Sequence, residues 1–275
     1  MHFYQEDDIR KFDQVQLIYI KTELIGHVFR IVLNRPDKRN AFTPTMVQEI
    51  IYALAYAHYT PQIRCVMLEA EGTVFCAGAD LNAFHNPEAD LKNDTLPDIR
   101  EEARLGDAFL QLLKPCIAAV KGPVLAGGFL LICGCTFVLS IPEATFSLPE
   151  VKRGIWPMQV MESLTGIIPS RKILEMAITG KSYSAADALE MGLLTQLVPA
   201  AEIQNEADKM ADMICLNAPY AIQSGLKAFQ KLSTIPANDR HRFLKEQLDL
   251  LLQSEDAKEG TTAFREKRNP LWKGK

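Results

Sequence analysis

Two runs of small residues, Phe75-Cys-Ala-Gly-Ala-Asp80 and Lys121-Gly-Pro-Val-Leu-Ala-Gly-Gly128, constrain this chain more than any other feature. Each follows a short apolar stretch that reads as a buried strand, over 65–70 and 117–120 respectively. Gly and Ala put little side chain in the way, so bare backbone N–H groups can come close to a ligand. The second run opens a short apolar helix over 125–133, where unpaired N–H groups and the helix dipole favour negative charge. Strands over 137–141 and 145–148 come next, and the second leads into Leu148-Pro-Glu150, a lone carboxylate in apolar surroundings. Two N–H donors and one base are the least apparatus that can make and hold an enolate.

The rest of the chain supports an α/β reading. Residues 14–22 and 27–34 alternate and carry β-branched side chains, which predicts a hairpin turning near Gly26. Thr43-Pro44 reads as an N-cap with proline at the first helical position, and Met46, Ile50, Leu54 and Ala57 then share one helix face. Residues 1–13 are polar and predict a flexible arm. The cluster of Asn, Pro, Asp and Lys over 85–97 predicts a mobile loop, followed by a helix over 98–113 that Pro115 ends. From Pro157 onward helices dominate. Ser184-Ala-Ala-Asp187 has the form of a capping box for a helix stopping at Gly192, a strand follows over 194–198, and helices cover 201–216, 219–232 and 238–252. An α/β core followed by an all-helical tail is therefore expected.

Bulk properties exclude more than they assign. The chain has 275 residues, 48% hydrophobic and 23% charged, and a net charge of -4, which gives no reason to expect nucleic acid or an anionic membrane as partner. The acidic start lacks the apolar stretch of a signal peptide, and Trp272-Lys-Gly-Lys275 is not a peroxisomal address, so a cytoplasmic protein is expected. The six cysteines fall mostly in apolar stretches and read as reduced core residues. Cys133-Gly-Cys135 lacks the second pair or nearby His that a zinc site needs, so no metal is expected. The glycine-rich run lacks both the Gly-Lys-Ser/Thr of a P-loop and the Gly-x-Gly-x-x-Gly of a dinucleotide fold.

Five segments occur together: Asn34-Arg-Pro-Asp-Lys-Arg-Asn-Ala41, Phe75-Cys-Ala-Gly-Ala-Asp80, Lys114-Pro-Cys-Ile-Ala-Ala-Val-Lys-Gly122, Pro149-Glu150 and Ala263-Phe-Arg-Glu-Lys-Arg268. In this order and spacing the chain closely resembles the crotonase superfamily, the enoyl-CoA hydratase/isomerase family, from about Val15 to its end. The resemblance implies a crotonase-like spiral of ββα units over 14–205 with a helical C-terminal region over 206–275 that packs homotrimers, sometimes paired into hexamers. It implies an acyl-CoA substrate and no separate cofactor, coenzyme A being part of the substrate. It also implies an oxyanion hole made by the N–H groups of Ala79 and Gly127, and Glu150 as base. Lys38, Arg39 and Ala41 would lie near the adenine-ribose end of CoA, with Ala77 and Ala79 along the pantetheine, and Phe264 and Lys267 would contribute from this or a neighbouring chain. Asp80 reads as a helix cap rather than a substrate ligand.

The chain also departs from that pattern. The hydratases of this family carry a second Glu two residues past the last glycine of the Gly-Gly run, where this chain has Leu130, and small residues after the proline that matches Pro157, where it has Met158-Gln-Val-Met161. Adding water calls for one group to activate it and another to protonate the α-carbon, whereas moving a double bond needs a single base. The mitochondrial-type Δ3,Δ2-enoyl-CoA isomerases of this family likewise carry Leu at the position of Leu130 and keep the later Glu. The expectation is thus a 3-enoyl-CoA to 2-enoyl-CoA isomerase, with enoyl-CoA hydratase, crotonase-type decarboxylase and non-catalytic acyl-CoA-binding homologue as alternatives.

Overall fold

Buried strands alternating with helices build a spiral, each turn of which crosses a large sheet and then a small one. The computed structural model describes residues 1–275. A short helix α1 (Glu6–Ile9) precedes the antiparallel hairpin of β1 (Ile20–Ile25) and β2 (Val28–Leu33), where Ile25 pairs with Val28 around Gly26 at φ +60°. Helix α2 (Pro44–Tyr59) starts as its sequence requires: the Thr43 hydroxyl accepts the Met46 N–H at 3.1 Å and Pro44 takes the first position. Strand β3 (Cys65–Ala70), helix α3 (Leu81–His85) and helix α4 (Leu105–Leu112) follow. Next come β4 (Cys116–Val120), β5 (Val124–Leu125), α5 (Phe129–Cys133), β6 (Phe137–Ser140) and β7 (Thr145–Ser147). Then α6 (Met158–Leu164), α7 (Ser170–Thr179), β8 (Ser182–Ser184), α8 (Ala185–Glu190) and β9 (Gln196–Leu197) complete the sheets. The chain ends in α9 (Ile203–Cys215), α10 (Pro219–Lys231), α11 (Arg240–Leu251) and α12 (Glu255–Glu266).

The large sheet runs β1-β2-β3-β4-β6-β9 and is parallel after the hairpin, while the small sheet runs β5-β7-β8. Isolated parallel pairings extend the small sheet backwards, Cys76 with Val124 and Phe42 with Ala79. Successive turns are therefore stacked with their chain directions matched. The central strands are covered on both faces, as parallel strands usually are. Val66 and Leu68 of β3 join the main core with Ile50 and Leu54 of α2. Cys65 and Met67 point the other way, with Ile117, Ala119 and Leu139, to meet Ile203, Ala207 and Ala211 of α9. Position 205, where the core was expected to end, lies within α9, so the helices that stand off the sheet are α10–α12. Those three leave large apolar side chains uncovered, among them Phe229, Leu248, Leu250 and Phe264.

Two expectations fail. Residues 1–13 are no loose arm: Phe3 and Tyr4 are fully buried, Tyr4 meets Tyr52 edge-on with centroids 5.1 Å apart, and Phe12 stacks on Tyr56 at 3.9 Å. Three aromatics spaced among acids bury enough area to order the segment without any periodicity. The 85–97 segment is pinned as well. Asn93 donates to Glu49 at 2.7 Å and to the Gln16 carbonyl at 3.0 Å, while Asp90 accepts the Thr45 N–H at 2.8 Å. The helix expected over 98–113 is shorter, starting at Leu105. The Ser184–Asp187 capping box is formed as expected.

Candidate active site

Three chain segments leave the small sheet side by side. Cys76 pairs with Val124, and Val124 pairs with Phe146, all in parallel. Ala79 and Gly127 lie three residues beyond the first two, and Glu150 four beyond the third. All three thus emerge at the carboxyl end of parallel strands, where open α/β sheets place their ligands.

The Ala79 N–H is freed by the pairing of its neighbours. Phe42 donates its N–H to the Gly78 carbonyl at 2.9 Å and accepts the Asp80 N–H at 2.9 Å. Ala79 sits between those two bonds, so its own N–H turns to the other side, where no protein acceptor meets it. Gly127 is the second residue of a tight turn, Ala126–Gly128, that leads into α5, so its N–H precedes the turn's first internal bond. The two loops touch closely. A Cβ on Gly78 would fall 2.7 Å from the Ala126 Cβ and 2.9 Å from the Gly127 nitrogen. A Cβ on Gly127 would fall 3.5 Å from the Ala79 nitrogen. With standard bond lengths the two nitrogens are no more than about 6 Å apart. Ala126 itself is left-handed at φ +51°.

Glu150 lies in a turn over Pro149–Arg153 and is buried, 8% exposed. Its Oε2 is shielded from solvent and has no hydrogen-bond partner. Loss of solvation holds its carboxyl above the usual range, opposed by its own backbone N–H and by the charge of Arg153. No ion pair with Lys152 or Arg153 neutralises it. Asp80, the other acid of these segments, is otherwise engaged: it caps α3 through the Ala83 N–H at 3.3 Å and pairs with Arg35 at 2.8 Å. Despite loss of solvation, those bonds hold its carboxyl below the usual range. Leu130 is buried in α5, 7% exposed. Of the bulky segment after Pro157, Val160 turns into the core while Met158 is 65% exposed, so Met158 does not crowd the interior.

The Lys38–Ala41 turn is tied to these loops. The Arg39 carbonyl accepts the Ala77 N–H at 3.0 Å, and Arg39 and Asn40 are both left-handed. Asn40, fully buried, donates to the carbonyls of Glu71 and Val74 at 2.8 Å each and accepts the Arg35 N–H at 2.9 Å. The side chains of Lys38 and Arg39 stay exposed beside the turn. No hydrogen bond or ion pair ties Phe264 or Lys267 to that turn. Phe264 is 88% exposed on α12, and Lys267 is its left-handed cap. Sequence reasoning missed Asn40 and Phe42, whose placement comes from contacts across the spiral.

Taken together, the two N–H groups and the buried carboxylate can remove a proton beside a carbonyl and hold the oxygen as it gains charge. A family model described as enoyl-CoA hydratase/isomerase matches residues 24–275. The chain is 34% identical over 248 residues to an enoyl-CoA hydratase of Mycobacterium tuberculosis, covering 89% of this chain and 92% of that one. It is 32% identical over 259 residues to the carnitinyl-CoA dehydratase of Escherichia coli K12, covering 91% and 96%. The crystal structure of an enoyl-CoA hydratase/isomerase from Mycobacterium paratuberculosis superposes with a TM-score of 0.83 at 28% identity, covering 94% of this chain and all of that one.

Proposed function

Because this chain belongs to the enoyl-CoA hydratase/isomerase family, we propose that it shifts a double bond, converting a 3-enoyl-CoA to a 2-enoyl-CoA with Glu150 as the single base. The observation that carries this reading is the buried carboxylate of Glu150, whose Oε2 is unpartnered while Leu130 stands where a second acid would be.

Ionised Glu150 takes a proton from C2 of the substrate. The electron pair moves toward the thioester, and the oxygen of the resulting dienolate lies between the N–H groups of Ala79 and Gly127. Glu150, now protonated, returns the proton at C4, leaving the double bond conjugated. A preset donor of this kind contributes about 3–4 kcal/mol to the transition state in a dry site. Desolvation makes the carboxylate a stronger base than one in water. Lys38 and Arg39, exposed beside the loops, supply positive charge for the phosphates of CoA. The resemblance of the α10–α12 region to the part of the family that packs trimers supports a homotrimer or hexamer, and Phe229, Leu248, Leu250 and Phe264 stand uncovered there.

Water addition or elimination is the second reading, favoured by the names hydratase and dehydratase of the two relatives. The absorbance of the conjugated enoyl thioester separates the two. A rise with 3-enoyl-CoA that Glu150→Gln abolishes is the expected result. A fall with 2-enoyl-CoA in the wild type, and no rise with the 3-enoyl substrate, would establish water addition instead.

A further inference from the structure

We propose that Phe42 is a positioning residue whose ring aligns the Gly127 oxyanion donor, its backbone already setting Ala79. The proposal rests on the oxyanion reading of those two N–H groups.

Each half has its own geometry. The N–H and carbonyl of Phe42 bond to residues on either side of Ala79, both at 2.9 Å, which leaves the intervening N–H facing the site. The ring occupies the space a side chain at 127 would need, because a Cβ built on Gly127 would lie 2.7 Å from its Cζ and 3.2 Å from a Cε. The ring is itself held, 4% exposed, with Phe84 edge-on at 6.3 Å between centroids. Phe42 also begins the chain's entry into α2, whose cap is Thr43. The ring therefore couples a donor on one turn of the spiral to a long helix on another. It has no polar atom to offer substrate, so its effect is exerted through Gly127. Without it, the 126–128 turn loses the wall against which it packs, and small displacements of a reacting group cost heavily in rate.

Phe42→Ala and Phe42→Leu test this, with dimethylaminocinnamoyl-CoA as an optical probe. Its absorbance moves to the red as hydrogen bonds polarise the thioester carbonyl. The wild type is expected to shift the probe to the red. Phe42→Ala should bind it with affinity within about threefold of wild type, lose most of the red shift, and turn over enoyl-CoA about 10- to 100-fold more slowly in kcat with KM little changed. Phe42→Leu, which refills much of the space, should restore most of the shift and the rate. A full red shift and wild-type kcat in Phe42→Ala would overturn the role of the Phe42 ring and leave the oxyanion reading standing. Equal losses of affinity and rate in both variants, tracking loss of folded protein, would overturn it too, because a merely structural ring would behave that way. Absence of any red shift in the wild type would instead overturn the oxyanion reading, and this proposal with it.

Discussion

Gly127 and Glu150 follow partners on adjacent parallel strands: Leu125 lies opposite Ser147, and the two residues stand two and three places further along. The register of two short strands therefore brings a donor and a base to one end of the small sheet, although 23 positions of sequence separate them.

Removing the base tests that pairing first. Glu150→Gln keeps the shape of the side chain and should lower kcat by about 10²–10⁴-fold, the range general-base groups supply. Acyl-CoA affinity should stay close to wild type. Steady-state kinetics beside direct binding titration separates the two, and a variant with wild-type kcat would exclude Glu150 as base.

The pH profile should carry the same signature. Because loss of solvation raises the Glu150 carboxyl, the acid limb of kcat/KM should fall above 4.5, its ordinary value. Activity should rise with pH along that limb and lose it in Glu150→Gln.

Stability should move in the opposite direction. A carboxyl raised in the folded state costs stability as pH rises from its ordinary value, 4.5, through the raised one, and fully above it, since the buried group must then carry charge. Glu150→Gln should therefore melt at or above the wild-type temperature at pH 8. The difference should shrink as pH falls through the folded value and the wild-type carboxyl is protonated. Calorimetry across pH reads this directly.

Gly127 tolerates no side chain. In Gly127→Ala the added Cβ would meet the Phe42 ring at 2.7 Å, so either ring or turn must shift. Displacing one oxyanion donor should lower kcat by about 10²–10³-fold, measured with the same enoyl-CoA assay, with the circular dichroism spectrum retained.

Asn40 predicts a loss of stability rather than of chemistry. Its side chain satisfies two carbonyls and one N–H inside the protein. Asn40→Ala should leave those groups unpaired and cost about 2–4 kcal/mol, read as a lower urea midpoint.

Much of the scaffold was legible because its signals are local. Apolar residues without a break from Cys65 to Leu68 marked β3, and Thr43-Pro44 fixed the start of α2. The small-residue runs and Glu150 were legible as site candidates because their chemistry is unusual at any position. What remained hidden depends on partners distant in sequence. Phe3, Tyr4 and Phe12 have no periodicity of their own and are ordered by Tyr52 and Tyr56 of α2. Asn93 looks like loop composition until it meets Glu49, a carboxylate also bound by the N–H groups of Ile18 and Tyr19 at 2.7 and 2.8 Å. Phe42 reads as one more apolar residue before a helix. Only the stacking of one spiral turn on the next sets its ring against Gly127.

Ala126 has a consequence for motion. The peptide plane that carries the Gly127 N–H is joined to Ala126, and its direction follows the backbone angles of that residue. With φ at +51°, Ala126 occupies a small basin that a residue bearing a Cβ leaves only by a large rotation. A glycine there would visit mirror-image basins almost as readily, and the N–H would swing with it. The methyl group of Ala126 also disfavours that basin by about 1–2 kcal/mol, so the direction of that one amide is held by the packing of the turn and not by the residue's own preference.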